Sequence, residues 1–333
     1  MIEEVPKFDN VKIALIAKQL FNIEGVITEL VSFEDQNALI TGSKSRYVFK
    51  IANKRWPVEF LNMQHQVMDY LAITLPDLSF SKPIISSEGS SLLTIDGFTV
   101  RILSFLEGEI FANVEKSADL YHDAGQFLGR FSTAMQGYTH PAAHRDDDFW
   151  NLDNVISCKV YLDEVDNLDT RDRIDRLFKV YEKDIMPVVK GLRKAVIHGD
   201  ANEQNYLVNK VNVNKIAGLI DFGEMIYASQ VNDLAIALAY LLLGEEDTEM
   251  ASAQIITGYC KEFPLNDDEL SIIYYLAAMR LVTNITMTSH EAKKHPDNTY
   301  ILISQGAACI LLKKLEDEGY ILSKDTNTQS MRN

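Results

Sequence analysis

Positions 196–223 contain the residues best suited to catalysis, as judged by their side-chain types and spacing. His198, Asp200 and Asn205 form the pattern H-x-D-x-x-x-x-N, and an Asp-Phe-Gly tripeptide begins at Asp221, after an apolar run. Sites that transfer a phosphoryl group from ATP use side chains in this order: one carboxylate, an amide in the same loop, and then a second carboxylate. We predict that Asp200 is the catalytic residue, which orients the acceptor hydroxyl. Asn205 and Asp221 are predicted to hold Mg²⁺ on the nucleotide phosphates.

Phosphoryl transfer also needs a cation on the nucleotide, and a lysine stands alone in an apolar run upstream. Lys50 lies between Phe49 and Ile51 in a segment, 46–51, whose aromatic and β-branched residues predict a strand. A single charge in such a strand either faces solvent or serves a ligand. Because an ATP site requires a lysine on the α- and β-phosphates, the catalytic loop favours a ligand-binding role for Lys50.

Kinase-like sites place a helix after this strand, and a carboxylate from the helix fixes the position of the lysine. The periodicity of residues 58–73 predicts that helix, with Glu59, Asn62 and Gln64 at the candidate positions. Glu59 is the only acid in the first two turns, so it is our prediction for the partner of Lys50. The alternative is Gln64, a neutral side chain that would hold the lysine less strongly.

The order of the predicted elements divides the chain into two parts. After a helix over 10–21, the N-terminal part contains predicted strands over 26–33, 38–41, 46–51, 92–94 and 98–105. Helical periodicity then predicts helices over 114–136, 171–185 (ended by Pro187), 232–243, 249–262 and 267–290, and one after Pro296. We expect an α+β fold with a β-rich nucleotide-binding domain, 1–104, and a mostly helical catalytic and acceptor-binding domain, 105–333.

The two domains would meet at a single crossing of the chain near Ser104. In a kinase-like fold, backbone groups from Ser104 to Leu106 would hydrogen-bond the adenine ring. The alternative for this stretch is an edge strand that leads into a loop.

Composition and charge argue against several classes of protein. The formal net charge of −16, from 48 acidic and 32 basic residues, disfavours nucleic acid or an anionic membrane as the main partner. The three cysteines, Cys158, Cys260 and Cys309, form no C-x-x-C pair, as expected of reduced thiols. The N-terminal stretch is acidic, unlike a signal peptide, and the longest purely apolar run, Leu234 to Leu243, is too short to span a membrane. We therefore expect a soluble, cytoplasmic protein.

The loop around Asp200, the Asp-Phe-Gly-Glu sequence from Asp221 and the strand lysine together resemble the aminoglycoside phosphotransferase and choline kinase superfamily of small-molecule kinases. Gly199 supports this branch, because protein kinases usually carry arginine at that position. Within the superfamily the chain is most similar to the hydroxylysine kinases and type II homoserine kinases. The segments that carry this similarity are 32–37, 47–51, 149–155 and 278–281.

This resemblance implies a bilobal protein-kinase-like fold, Mg²⁺, and transfer of the γ-phosphate to a hydroxyl group of a small amine or amino acid. The sequence favours ATP but leaves GTP open as the nucleotide, and it leaves open whether the protein forms a homodimer. By position, Glu34 to Asn37 would form the nucleotide loop. Because no G-x-G-x-x-G sequence stands there, we expect Gln36 and Asn37 to cover the phosphates with side chains and backbone N–H groups.

Recognition of an amino-acid acceptor needs a cation for its carboxylate and an anion for its ammonium group. Arg280 stands in an otherwise apolar helix and either binds the acceptor carboxylate or pairs with a structural acid such as Asp233. Glu224 is our candidate for the ammonium group. Trp150 either packs in the core or lines the acceptor pocket, and the three aspartates at 146–148 predict a solvated turn.

Three functions remain open from the sequence. The first is an ATP-dependent kinase for a small hydroxylated amine or amino acid, with hydroxylysine- or homoserine-like acceptors favoured. The second is an aminoglycoside or choline-type phosphotransferase. The third is a catalytically weak nucleotide-binding regulator, which the neutral Gln64 favours and the joint presence of Lys50, Asp200, Asn205 and Asp221 disfavours.

Overall fold

The computed structural model describes residues 5–32 and 35–322, and these residues form two compact units. The first unit contains the described residues up to Gly108 together with the short segments 140–143 and 217–220. The second unit contains the remaining described residues from Glu109 onwards. Glu34, which was expected to begin the nucleotide loop, lies outside the described residues.

The first unit is a five-stranded sheet with two helices. Every pairing in the sheet is antiparallel, and the strand order is β1-β2-β3-β5-β4. Its elements are α1 (Asn10–Phe21), β1 (Val26–Leu30), β2 (Gln36–Thr41), β3 (Arg46–Ile51), α2 (Val58–Thr74), β4 (Leu93–Ile95) and β5 (Phe98–Ser104). Strand β2 begins two residues before the predicted start, so Gln36 and Asn37 pair with β3.

The two faces of this sheet have different characters. Phe49 and Ile51 on β3 and Ile102 on β5 are fully buried, and they form one hydrophobic core with residues of α1 such as Ile13. Because successive side chains of a strand point to opposite faces, Lys50 and Arg101 lie on the other face. The apolar face therefore anchors the sheet on α1, while the opposite face presents charged groups.

The second unit combines helices with short strands. Its elements are β6 (Glu109–Ile110), α3 (Ala118–Met135), α4 (Leu168–Val180), α5 (Met186–Val189), β7 (Lys194–Ile197), β8 (Tyr206–Val208), β9 (Ile216–Leu219), β10 (Ile226–Ser229), α6 (Val231–Leu241), α7 (Thr248–Glu262), α8 (Asp267–Lys294) and α9 (Gln305–Asp317). The last three residues of β9 belong to the first unit. β7 pairs with β10, and β6 pairs with β8, both antiparallel.

The predicted helix end at Pro187 is wrong. The helical backbone continues from α4 through a π-helical turn, Tyr181–Ile185, into α5. Pro187 stands at the start of α5, directly after the π-helical turn, where the hydrogen-bond pattern of the helix changes and a missing N–H is accommodated. The proline is therefore compatible with a helix that restarts at Met186.

Helix α8 is the longest described element, with 28 residues. Asn266 and Glu269 form a capping box at its start, and Arg193 binds the carboxylate of Glu269 at 2.7 Å. By length and composition α8 could cross a membrane, but 78% of its most apolar window is buried inside the protein. This burial is typical of a core helix.

Candidate active site

The catalytic loop leaves strand β7 and is held by one buried carboxylate. The backbone N–H groups of His198 and Gly199 donate to Oδ2 and Oδ1 of Asp233, each at 2.9 Å. Asp233 stands in the first turn of α6 and is fully buried. Burial raises the pKa of Asp233 to about 6, although the two N–H donors act in the opposite direction. Asp233 thus fixes the position at which the loop begins.

His198 and Gly199 shape the loop without reaching outward. The His198 ring is fully buried between Phe131 and Phe222, and its Nδ1 lies 3.3 Å from the backbone nitrogen of Asp200. Gly199 adopts a φ of +78°, and a Cβ atom on it would lie 2.2 Å from the carbonyl oxygen of Glu224. Only glycine accommodates both the backbone conformation and this close approach.

Both oxygens of the Asp200 carboxylate have hydrogen-bond donors. Arg280 Nη2 lies 3.2 Å from Oδ1, and Asn205 Nδ2 lies 2.9 Å from Oδ2. Burial raises the pKa of Asp200 to about 6, the positive charge of Arg280 lowers it, and the negative charge of Asp221 raises it. Asp200 is therefore a fixed carboxylate whose basicity is higher than that of an ordinary aspartate.

Asp221 and Asn205 supply oxygen ligands suited to a hard cation. Asp221 is exposed and adopts a left-handed backbone conformation, with a φ of +61°, directly before the turn Phe222–Glu224. Asn205 donates to the backbone and side chain of Asp200 through Nδ2, so its Oδ1 is not used in these bonds. Within the described residues no cluster of three or more His, Cys, Asp or Glu could hold a metal. Two oxygen ligands fit Mg²⁺, which keeps waters and takes phosphate oxygens.

Glu224 is joined to an arginine that the sequence did not single out. Arg145 Nη2 lies 3.4 Å from Oε2 of Glu224 and 3.2 Å from Oδ2 of Asp148. The side chains of Arg145 and Asp148 are only 16% and 19% exposed. Asp148 is thus not part of the solvated turn predicted at 146–148, because its charge is compensated by Arg145 below the surface.

Arg280 does not pair with Asp233, which was the suggested structural acid. Its guanidinium donates to Asp200 and, at 3.0 Å, to the backbone carbonyl of Trp150. The Trp150 ring centroid lies 4.7 Å from the guanidinium carbon, and the Tyr240 ring centroid lies 5.5 Å from it. Trp150 therefore packs against Arg280 next to the catalytic loop.

In the first unit, the register of the sheet aligns Lys50 with two polar residues. Asn37 on β2 and Arg101 on β5 are the direct cross-strand partners of Lys50. Directly opposite residues share one face of a sheet. Lys50 is 9% exposed and Arg101 is 2% exposed, so two cations stand side by side below the surface.

Helix α2 offers no carboxylate on its buried side. Glu59 is exposed in the first turn, while Gln64 and His65 are 2% and 3% exposed. Burial, aided by the charge of Arg101, lowers the pKa of His65 to about 3, so this ring is neutral. Glu59 as the partner of Lys50 therefore stays a prediction, with the buried Gln64 as the alternative.

The structure gives Gln36 a role other than the predicted contact with the nucleotide. Its Oε1 accepts from the Phe8 backbone nitrogen and its Nε2 donates to the Phe8 carbonyl, both at 2.7 Å. Gln36 pairs with Ile51 and therefore shares the apolar face of the sheet, whereas Asn37 shares the face of Lys50. A one-residue difference along β2 separates the two roles.

The predicted adenine-binding stretch is partly occupied by the sheet. The Ser104 backbone nitrogen donates to the Lys82 carbonyl at 2.8 Å, and the Phe105 nitrogen donates to the Arg46 carbonyl at 3.1 Å. Among the backbone bonds of the described residues, none uses the N–H of Leu106. The N–H of Leu106 thus lies outside this backbone network, and adenine binding by the stretch stays a prediction.

Sequence reasoning missed Arg101, Arg145 and Tyr240 as residues of interest. Arg101 carried a usable signal, since it is a lone charge in the apolar strand β5, as Lys50 is in β3. Arg145 and Tyr240 carried none, because their proximity to Glu224 and Arg280 arises from distant parts of the chain.

Comparison with known proteins decides the family. A family model described as the phosphotransferase enzyme family matches residues 26–270, which is most of the chain. The chain belongs to the phosphotransferase enzyme family. The predicted class of enzyme, a phosphotransferase that acts on a hydroxyl group of a small molecule, is confirmed by this match and by the relatives described next.

Two relatives carry the same name. A hydroxylysine kinase of Mus musculus is 25% identical, over 94% of this chain and 91% of its own length. A hydroxylysine kinase of Xenopus laevis is 26% identical, over 88% of this chain and 85% of its own length. The similarity to the hydroxylysine kinases within this phosphotransferase family thus extends over most of both chains.

Solved structures of similar proteins show the fold. An amicoumacin kinase in complex with AMP-PNP, Ca²⁺ and amicoumacin has a TM-score of 0.68 at 19% identity, over 94% of both chains. A microcompartment-associated aminopropanol kinase has a TM-score of 0.66 at 14% identity, over 92% of this chain and 98% of its own. The predicted kinase-like α+β fold is confirmed by these neighbours, and a nucleotide and a divalent metal are present in the first of them.

Proposed function

We propose that this phosphotransferase transfers the γ-phosphate of ATP to a hydroxyl group of a small amine or amino acid, with hydroxylysine-like acceptors favoured. The observation that carries the proposal is the Asp200 carboxylate, held by Arg280 and Asn205 and placed where its charge interacts with that of Asp221. A fixed base beside a ligand for the phosphate-bound metal is what phosphoryl transfer requires of a protein.

In this mechanism Asp200 accepts a hydrogen bond from the acceptor hydroxyl and orients its oxygen towards the γ-phosphorus. The bond between this oxygen and phosphorus forms while the bond from the γ-phosphorus to the bridging oxygen of ATP breaks. The hydroxyl proton passes to Asp200, and ADP leaves with the electron pair. The elevated pKa of Asp200, about 6, suits it to take up this proton.

The remaining roles follow from the chemistry of the side chains. Asn205 Oδ1 and the Asp221 carboxylate would hold Mg²⁺, which supplies charge neutralisation on the phosphates when bound. Lys50 and Asn37 would bind phosphate oxygens from the sheet face that they share. Leu106 would bind the adenine through its backbone, and Glu224 would attract the ammonium group of the acceptor.

The hydroxylysine kinase relatives support an amino-acid acceptor, and the aminopropanol kinase neighbour supports an amino alcohol. The formal net charge of −16 favours a cationic acceptor in either case. We further propose a cytoplasmic protein.

The test is a nucleotide-consumption screen with ATP and with GTP, at saturating Mg²⁺. The acceptors are hydroxylysine, homoserine, aminopropanol, choline and an aminoglycoside, and ³¹P NMR identifies a phosphate ester in the product. We expect the highest kcat/KM with hydroxylysine and ATP. Exclusive phosphorylation of the aminoglycoside or of choline would refute the proposed acceptor class. Tight nucleotide binding without any turnover would favour a regulator.

A further inference from the structure

Arg280 lies in the middle of α8 and is 2% exposed, yet it carries a full positive charge. A buried guanidinium is tolerated only when its charge and its donors are compensated. The Asp200 carboxylate accepts from Nη2, the Trp150 carbonyl accepts from Nη1, and the rings of Trp150 and Tyr240 flank the guanidinium, whereas Nε has no hydrogen-bond partner among the described residues. Both terminal nitrogens of Arg280 are therefore bound by groups of the protein itself.

The support behind Arg280 is rigid. Asn284, one turn further along α8, lies with its Nδ2 at 3.3 Å from the Tyr240 hydroxyl, which ties α8 to α6 beside the guanidinium. The start of α8 is fixed by its capping box, in which Asn266 and Glu269 exchange hydrogen bonds. A group mounted on such a helix can hold a partner within the few tenths of an ångström that catalysis needs.

The contacts of Asp200 show what this rigidity achieves. Arg280 holds Oδ1 and Asn205 holds Oδ2, so rotation of the carboxylate about its χ2 angle would break at least one of the two bonds. The carboxylate side chain is 22% exposed, whereas Arg280 is almost completely covered. The carboxylate is therefore open to solvent in part, whereas the arginine is not.

We infer that Arg280 is a positioning residue, which fixes the orientation of the Asp200 carboxylate and does not bind the acceptor. The inference rests on the proposed role of Asp200 in phosphoryl transfer. Its consequence is that the effect of Arg280 on catalysis is independent of whether the acceptor carries a carboxylate group. An acceptor-binding arginine would have the opposite signature, since only carboxylate-bearing acceptors would lose affinity.

The experiment compares the full-length wild type with R280M, R280K and the control R193M. Arg193 has partners of the same kinds, although its side chain is 35% exposed: it binds a buried carboxylate, donates to the Pro264 carbonyl and lies 3.8 Å from the centroid of the Phe263 ring. Because Arg193 contacts none of the predicted site residues, R193M reports the effect of losing an arginine–carboxylate pair away from the site. Each variant is assayed with hydroxylysine and with the amino alcohol obtained by removing its carboxylate.

For R280M we expect a fall in kcat of about 100-fold for both acceptors, with KM changed less than about threefold, because the base is displaced and not removed. R280K, which keeps the charge, should recover activity to within about tenfold of the wild type. R193M should keep its kcat below its melting temperature. A rise in KM confined to the carboxylate-bearing acceptor, or an equal loss of kcat in R193M, would overturn the inference.

Crystal structures of the wild type and R280M test the inference even if neither acceptor is phosphorylated. We expect the Asp200 carboxylate of R280M to rotate about χ2 and to lose its bond to Asn205 Nδ2. An Asp200 carboxylate that keeps the wild-type orientation without Arg280 would show that Asn205 suffices and would overturn the positioning role. Failure of both acceptors with the wild type would instead refute only the proposed acceptor class.

Discussion

Substitution of Gly199 by alanine tests whether the geometry of the catalytic loop controls turnover. The added Cβ would lie 2.2 Å from the carbonyl oxygen of Glu224, at a backbone φ of +78°. Gly244 provides the matched control, because its φ is +75° and a Cβ added there meets no atom within 4 Å. The pair G199A and G244A therefore shares the conformational strain and differs in the clash.

The magnitudes follow from these two contributions. The left-handed conformation destabilises a folded alanine by about 1–2 kcal/mol. Alanine also lowers the conformational entropy of the unfolded chain, which offsets about 0.4–1 kcal/mol of this loss. G244A should thus lose about 1 kcal/mol of unfolding free energy. In G199A the Glu224 carbonyl must also retreat by roughly 0.8 Å to reach 3.0 Å, which adds about 1–3 kcal/mol of overpacking.

The assay measures both stability and turnover. The entropy of unfolding scales with chain length, so 1 kcal/mol lowers the Tm of a chain of 333 residues by about 1.4 °C. Calorimetry should therefore show Tm lowered by about 1–2 °C in G244A and by about 3–6 °C in G199A. A displacement of this size next to Asp200 should reduce kcat by about 100-fold in G199A, with G244A unchanged. Equal Tm values for the two variants, or wild-type turnover in G199A, would refute the reasoning.

Three further predictions concern the pH dependence, the brace of the loop and the nucleotide site. Asp200 must be ionised to act as a base, and its pKa is raised to about 6, so kcat/KM should fall about tenfold per pH unit on the acid side of this pKa. A cation bound at Asp221 would lower the pKa of Asp200, so the fall should begin no higher than about pH 6. A fall that begins near pH 7 would contradict this prediction. The pKa values of Asp200 and Asp233, about 6 in the folded protein, exceed the value of about 3.9 in the unfolded chain, so both residues stabilise the fold increasingly as pH falls from about 6 to about 4. Calorimetry at each pH therefore distinguishes a loss of activity from unfolding. D233N can accept only one of the two N–H bonds of the loop, so it should lower Tm by several degrees and kcat at least about tenfold; unchanged values of both would remove Asp233 from the account. By isothermal titration calorimetry, K50M should weaken ATP binding by about tenfold or more, whereas E59Q, at an exposed position, should leave it unchanged, and a large effect of E59Q would restore Glu59 as the partner of Lys50.

The kinase-like fold and the order of the catalytic residues could be predicted because they depend on local spacing. A strand, a loop with Asp200 and Asn205 five residues apart, and a second strand end at Asp221 are all contained within a short stretch of sequence. The alternation of residues also predicts that Lys50 and Phe49 face opposite sides of the sheet. Local spacing and periodicity are therefore sufficient to predict which residues form the site and on which elements they lie.

The side-chain partners could not be predicted, because they join distant parts of the chain. Whether Arg280 pairs with Asp200 or Asp233 depends on how α8 is placed against the catalytic loop. Asp200 precedes Arg280 by 80 residues in the sequence. Gln36 and Asn37 were expected in a loop, because the predicted strand begins two residues after the start of β2. The alternation of strand faces, which separates the roles of the two residues, was therefore not applied to them.

The D200N variant tests the central claim most directly, since it removes the base while it keeps the size of the side chain. Product formation from hydroxylysine is followed by ³¹P NMR, and the dissociation constant of ATP is measured by calorimetry on the same preparation. We predict that turnover falls by about 10³-fold or more, while the dissociation constant of ATP stays within about threefold of the wild-type value. Turnover within about tenfold of the wild-type value would contradict the role of Asp200, and so would a loss of ATP binding that explains the lost turnover.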